Sequence, residues 1–346
     1  MADLFSSGDL AMTAAFIMAI FVSGMVTFLS IPPIMRRMRE KGFVGKDYNK
    51  KEDVWIPELG GMAVLFGFPI GISLACGVLK LLSEFNALPI LAAIGVLYIG
   101  GLIGIMDDIS FISTRVKAFA AAFAALPLVI GGIGSPVIDL PFGATINLSS
   151  VDLLFWIIIA PLAVTGAANA LNMSAGYNGL ETGQLAIISI SLLVAALLTR
   201  DNLAAVLIFA ALFGCAIGMY AFNSHPAVIF VGNVGTFSTG AVVGAGVIIG
   251  NLEFAGLIAI APCFFELFST IYYSHIKKVD SEMRKIAQRE VTIDSEGKMH
   301  PRKGSEKYAL ALFLLSRKPM NEARLVRSIL MIYLLCGILA IILTVV

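Results

Sequence analysis

Three polar stretches of the chain hold oxygen ligands and glycines at spacings suited to phosphate chemistry. Asn169 to Glu181 reads N-A-L-N-M-S-A-G-Y-N-G-L-E, lodged between the apolar runs Leu153 to Ala168 and Leu185 to Thr199. Amide carbonyls and a carboxylate are hard ligands for Mg²⁺, and glycines let backbone amides approach a phosphate. A polar turn between two helices would use the same residues. Asp107 and Asp108 close the apolar run G-L-I-G-I-M-D-D. Adjacent carboxylates at the end of such a run are costly unless they meet a cation, a proton or water, so they are either a metal or base site or solvated charges at the membrane edge. Arg115 and Lys117 follow, placed to serve an anionic substrate or to anchor the helix end. The third stretch, Asn223 to Thr236, ends a strand-like A-V-I-F-V run in Gly232, Asn233, Gly235 and Thr236. It has the makings of a phosphate turn, with Phe230 able to stack on a base.

A fourth stretch, G-K-D-Y-N-K-K-E-D-V-W-I-P-E-L-G-G, sets Lys46, Asp47, Glu58, Gly60 and Gly61 just before another apolar run. It reads as a substrate cradle or as a plain helix start. No P-loop, G-x-S-x-G, H-E-x-x-H or C-x-x-C pair is present. Walker-type ATP use, a lipase-like nucleophile and common zinc chemistry therefore drop from the leading ideas. Cys76, Cys215, Cys263 and Cys336 all lie inside apolar runs and read as buried fillers.

The elements that must position these groups are membrane helices. Hydrophobic residues make up 58% of the 346 and charged residues 14%, and the mean hydropathy is +0.92. Soluble domains average about 45–50% apolar and 25% charged. Runs long enough to span a bilayer are expected near 10–35, 59–79, 87–106, 118–138, 153–171, 183–199, 203–221, 234–250, 254–274 and 328–346. The expected fold is thus an all-α polytopic membrane domain covering 1–346, with about ten transmembrane helices and a loop subdomain at 275–327. The first run lacks the basic start of a signal peptide and reads as a permanent span.

Basic residues give the orientation, because Lys and Arg stay on the cytoplasmic side. The loops after the first, third and ninth runs hold seven, two and thirteen of the 24, leaving Lys80 and Arg200 for the other face. Both termini are then expected outside, and every polar stretch described above falls on the cytoplasmic face. The outer loop 131–152 is Gly/Pro-rich and reads as a hairpin or lid. The last inner loop is basic, with a helix expected at S-E-M-R-K-I-A-Q-R-E and a hairpin at V-T-I-D-S-E-G-K-M. Its charge would draw either anionic lipid headgroups or a polyanionic substrate.

Taken in order, G-K-D-Y-N-K with I-P-E-L-G-G, G-I-M-D-D, N-A-L-N-M-S-A-G-Y-N-G-L-E and F-V-G-N-V-G-T resemble the polyprenyl-phosphate N-acetylhexosamine-1-phosphate transferases, over about residues 40 to 275. The resemblance is nearest to the eukaryotic and archaeal branch that makes dolichyl-diphosphate N-acetylglucosamine. It implies a ten-span fold with a cytosolic active site, in the cell membrane of a prokaryote or the endoplasmic reticulum of a eukaryote. The implied reaction moves a sugar 1-phosphate from UDP-N-acetylglucosamine to dolichyl or polyprenyl phosphate and releases UMP, with Mg²⁺ as cofactor and Mn²⁺ as a substitute. It implies that Asn172 ligates the metal and Asn178 holds the uracil. Phe230 stacks on the base beside Gly232, Lys117 touches phosphate, and Asp107 and Asp108 bind or activate the lipid phosphate. Glu58, Lys46 and Glu181 belong to the same substrate-binding floor, and Arg289 is the residue expected to reach the pyrophosphate from the last loop.

Two departures stand out. The family's F-V-G-D turn supplies an aspartate as a second metal ligand, and this chain has Asn233 there, with one charge fewer. The muramoyl-pentapeptide branch carries a His-rich motif in its last inner loop, where this chain has only His300 before Pro301. Membrane lipid and a homodimeric partner are compatible with the pattern, and nothing in it points to nucleic acid. An alternative of another class is a secondary transporter using Asp107 and Asp108 for ion or proton coupling. Such sites belong near the bilayer midplane at internal repeats, which the sequence does not display.

Overall fold

A computed structural model describes residues 7–82, 84–110, 113–199, 202–272, 291–301 and 309–346. Its helices are α1 (Ser7–Glu40), α2 (Met62–Leu82), α3 (Leu88–Ser110), α4 (Thr114–Ala120), α5 (Leu126–Gly131), α6 (Asp152–Leu154), α7 (Ala160–Met173), α8 (Leu180–Thr199), α9 (Leu203–Asn223), α10 (Gly232–Ile249), α11 (Glu253–Ala259), α12 (Ala261–Ile271), α13 (Leu310–Arg317) and α14 (Glu322–Thr344). A 3₁₀ turn joins α4 to α5, and a π-helical turn, Phe155–Ile159, joins α6 to α7. The only strands among the described residues form three two-stranded antiparallel hairpins: β1 (Val44–Lys46) with β2 (Trp55–Pro57), β3 (Val137–Asp139) with β4 (Thr145–Asn147), and β5 (Thr292–Ile293) with β6 (Met299–His300).

Eight helical stretches among the described residues are long and apolar enough to cross a bilayer: Ala11–Glu40, Met62–Leu82, Leu88–Ser110, Ser149–Met173, Leu180–Thr199, Leu203–Asn223, Gly232–Ile249 and Glu322–Thr344. This is a multi-pass, all-α membrane protein. The fourth and ninth expected runs are not continuous helices. Gly132, at φ 57°, stops α5 by accepting the left-handed conformation that ends a helix, and Ile133 then donates back to the Leu128 carbonyl at 3.0 Å. Pro262 interrupts the other run, so that α11 ends at Ala259 and α12 starts afresh at Ala261. Apolar composition alone does not reveal either break. The hairpins expected in 131–152 and at V-T-I-D-S-E-G-K-M are present as β3–β4 and β5–β6; the helix expected at S-E-M-R-K-I-A-Q-R-E and Arg289 lie outside the described residues.

The bundle is built around α10. Every residue from Val234 to Ile249 is buried, as befits a helix apolar on all sides. Helices α3 and α7 lie against it through small residues. A Cβ on Gly104 of α3 would come within 2.4 Å of the Asn233 carbonyl oxygen, and one on Gly240 of α10 within 2.7 Å of the Ala168 Cα. Lipid tails are as apolar as leucine, so close backbone approach of this kind is what holds membrane helices together. At about 1.5 Å per residue, the 34 residues of α1 outreach a hydrocarbon core of roughly 30 Å. Its basic end, Arg36 to Lys41, is thereby carried beyond the apolar layer.

Candidate active site

At the end of α3 two adjacent carboxylates take different partners. Asp107, 5% exposed, receives the Lys117 ammonium at 2.6 Å, and that ammonium also lies 5.4 Å from the centre of the Phe237 ring. Asp108 accepts the backbone N–H groups of Asn233 at 2.9 Å and Val234 at 3.0 Å. Those are orphan donors of the first turn of α10, whose own cap residue, Val231, offers no side-chain acceptor. The cap is therefore supplied from another helix, with a full negative charge against the positive end of the α10 dipole. Gly232, at φ 73°, leaves room for this contact, since a Cβ there would sit 3.0 Å from Asp108 Oδ2.

Asn172, near the end of α7, completes the group by donating from Nδ2 to Asn233 Oδ1 at 2.6 Å and to Thr236 Oγ1 at 2.9 Å. With its nitrogen spent, its own Oδ1 is left as an acceptor or ligand. The strand-like stretch before α10 pairs by backbone with the chain after β2. Phe230 donates to the Pro57 carbonyl at 2.8 Å, and Gly60 and Gly61 donate to the carbonyls of Phe230 and Val231 at 2.9 and 2.8 Å. Glu58 is thus held beside Asp108. Burial, and then the Asp108 charge, push its carboxyl above the usual range.

A second polar group sits on the same face. Glu322, 3% exposed in the first turn of α14, accepts from the Asn178 N–H at 2.9 Å, Asn49 Nδ2 at 3.2 Å and Lys50 Nζ at 2.5 Å, and it pairs with His225 Nδ1 at 3.1 Å. Asp47, 2% exposed, accepts from Asn178 Nδ2 at 3.0 Å and lies 3.6 Å from Lys50. Three segments serve both groups: 47–58 carries Asp47 and Glu58, 172–178 carries Asn172 and Asn178, and 225–233 carries His225 and Asn233.

Of the residues expected from sequence, Asp107, Asp108, Lys117, Asn172, Gly232 and Asn233 are brought together, with Glu58 beside them. Asn178 belongs to the second group. Phe230 is half-buried between the two along its segment, and Glu181 accepts the Gly176 N–H at 3.1 Å, closing the turn before α8. Lys46, the last residue of β1, pairs at 2.6 Å with Asp53 of the β1–β2 loop, outside both groups, and that carboxylate raises the lysine's pKa. Sequence reading did not single out Glu322, Lys50 or His225 as site residues. Glu322 lies ahead of the last expected run at 328–346, directly after the α14 cap Asn321, and nothing local joins it to Asn178, 144 residues away.

No three acidic, histidine or cysteine side chains gather into a metal cage among the described residues. The oxygens around Asp108, Asn172 and Asn233 nevertheless suit Mg²⁺ in chemistry. That ion is commonly held by one or two carboxylates together with substrate phosphates.

Comparison with known proteins gives a consistent result. The sequence pattern of glycosyl transferase family 4 matches residues 90–251. A protein of Saccharolobus solfataricus, provisionally named as a UDP-N-acetylglucosamine–dolichyl-phosphate N-acetylglucosaminephosphotransferase, is 34% identical over 73% of this chain and 76% of its own. A provisionally named glycosyltransferase of Methanocaldococcus jannaschii is 31% identical over 90% of this chain and 91% of its own. A Bacillus subtilis protein, provisionally named as an undecaprenyl-phosphate N-acetylglucosaminyl 1-phosphate transferase, is 28% identical over 65% and 60%.

Proposed function

Since the chain belongs to glycosyl transferase family 4 and is a membrane-bound transferase, we propose that it moves N-acetylglucosamine 1-phosphate from UDP-N-acetylglucosamine to dolichyl or a related polyprenyl phosphate, releasing UMP. The observation that carries this reading is the paired arrangement at the end of α3: Asp107 bound to Lys117, and Asp108 joined to the start of α10 beside Asn172 and Asn233. The names of the relatives supply the substrates, and the concentration of basic residues in the loops on this side supports a cytoplasmic site.

In this reading an oxygen of the lipid phosphate attacks the β-phosphorus of the sugar nucleotide in line. The bond from that phosphorus to the bridging oxygen breaks, and UMP leaves with the bonding pair. Lys117 neutralises charge spreading over the phosphate oxygens, and the work is mostly positioning and electrostatics. The lipid phosphate is already ionised near pH 7, so no strong base is required. Both aspartates are engaged as acceptors, Asp107 by a lysine and Asp108 by two backbone amides, and this favours direct displacement over attack by an aspartate. Asn172 and Asn233, with Asp107 and Asp108 near them, would hold Mg²⁺, which when bound screens the negative charge of the pyrophosphate. Asn178 and Phe230 hold the uridine end, with Glu58, Glu181 and Gly232 forming the floor between. Arg289 of the last loop is the further basic residue this reading assigns to the pyrophosphate. Purified protein incubated with labelled UDP-N-acetylglucosamine, dolichyl phosphate and Mg²⁺ should release UMP and form a lipid-linked product. Absence of UMP with this and other UDP-sugars, across polyprenyl lengths, would refute the assignment.

A further inference from the structure

The second polar group contains a buried carboxylate that the proposed reaction does not use. Burying Glu322 is costly in lost hydration unless its lone pairs are filled. Here they are filled by four residues from three separate loops: Asn49 and Lys50, Asn178, and His225. A carboxylate needed only to cap or anchor α14 would not require partners from all three. Each of those loops also carries a residue of the Asp108 group at its other end: Glu58, Asn172 and Asn233 respectively. Moving Glu322 would therefore free the far ends of the segments that frame the site.

Asn178 is held most completely. Its backbone N–H goes to Glu322 Oε1 at 2.9 Å, and its side-chain nitrogen goes to Asp47 at 3.0 Å and, at 3.5 Å, to Glu322 Oε2. With both kinds of N–H spent on fixed carboxylates, the side chain has one orientation, with Oδ1 as its remaining polar atom.

We propose that Glu322 is a positioning residue for the nucleotide end of the site: from the first turn of α14 it fixes Asn178, together with the loops at Asn49–Lys50 and His225, in the geometry that receives the sugar nucleotide. The inference rests on the reading of Asn178 as a nucleotide contact. It makes a claim a purely structural carboxylate would not satisfy, since the two substrates should be affected unequally. The Asp107, Asp108 and Lys117 group that handles the lipid phosphate makes no hydrogen bond to Glu322 among the described residues.

The test is steady-state kinetics of the full-length protein and Glu322→Gln in the same detergent, varying each substrate in turn, with thermal unfolding measured alongside. Glutamine keeps the shape but turns an N–H₂ toward donors, and loss of a charge-assisted hydrogen bond predicts a KM for UDP-N-acetylglucosamine raised about tenfold or more. The KM for the lipid phosphate should stay within about twofold. An unchanged donor KM in a folded, active Glu322→Gln protein would overturn the inference, as would equal changes in both KM values. If Glu322→Gln does not fold, the double variant Lys50→Met, Glu322→Gln removes both members of that ion pair at once and leaves Asp47 its hydrogen bonds from Asn178 and the Asn49 N–H. It should fold and still show the raised donor KM, and a normal donor KM there would overturn the inference equally. An unmutated protein that releases no UMP would instead refute the transferase reading, and the inference would fall with it.

Discussion

The ion pair between Asp107 and Lys117 separates what holds the site together from what runs its chemistry. The two groups meet at 2.6 Å, with the side chains only 6% and 16% exposed. At an effective dielectric constant near 20, two unit charges at that separation attract by about 6 kcal/mol before desolvation is subtracted. Removing one partner strands the other in a poorly hydrated place, at a cost of about 3–5 kcal/mol. Lys117→Met should therefore destabilise by about that much, and Asp107→Asn by a similar amount. The double variant should cost well under the sum, leaving an interaction of about 2–3 kcal/mol. Unfolding in detergent, followed by helical circular dichroism through an SDS titration, measures all four corners of the cycle. Turnover should fall by about a hundredfold or more in all three variants, because restoring charge balance does not restore the cation at the phosphate. Additivity within about 0.5 kcal/mol would refute the pair as a unit, and normal turnover in the double variant would refute its role in the reaction.

Three further outcomes are expected. Gly104→Ala puts a methyl 2.4 Å from the Asn233 carbonyl oxygen, so α3 and α10 must separate; a loss of about 1–3 kcal/mol should appear in thermal unfolding, along with reduced turnover. Glu58 has its carboxyl raised above the ordinary 4.5, so its protonated form favours the folded state: that contribution is full below pH 4.5 and is lost as pH rises through the higher folded value. Replacing it with Gln should flatten the decline in stability from pH 4.5 upward, as read from melting temperatures across pH. Asn233→Asp adds a carboxylate to the oxygen group, and a magnesium titration of activity should show half-saturation at several-fold lower Mg²⁺. An unchanged titration would remove residue 233 from the metal's surroundings.

The multi-pass helical architecture was legible because an apolar run is a statement about each segment alone. The bundle's two interrupted runs were less legible, since Gly132 and Pro262 act through backbone conformation and leave the apolar character of their surroundings unchanged. In the site, residue types were visible but pairings were not. Asp108 was recognisable as an acid in an unusual place, whereas its cap on α10 depends on α3 lying close to residue 233, which the glycine at 104 permits. Asn172 and Asn178 share one motif, yet the fold divides them between two polar groups. Glu322 carried no local signal at all, because a glutamate one residue after an asparagine cap is ordinary helix-start chemistry.

Transfer of a sugar phosphate, as opposed to a sugar alone, is the central claim, and the fate of the β-phosphorus tests it most directly. UDP-N-acetylglucosamine labelled at that atom is incubated with the protein, dolichyl phosphate and Mg²⁺, and the products are separated. The label should move wholly into a lipid diphosphate sugar, with UMP released unlabelled. Label found in released UDP, or in inorganic phosphate, would contradict the account.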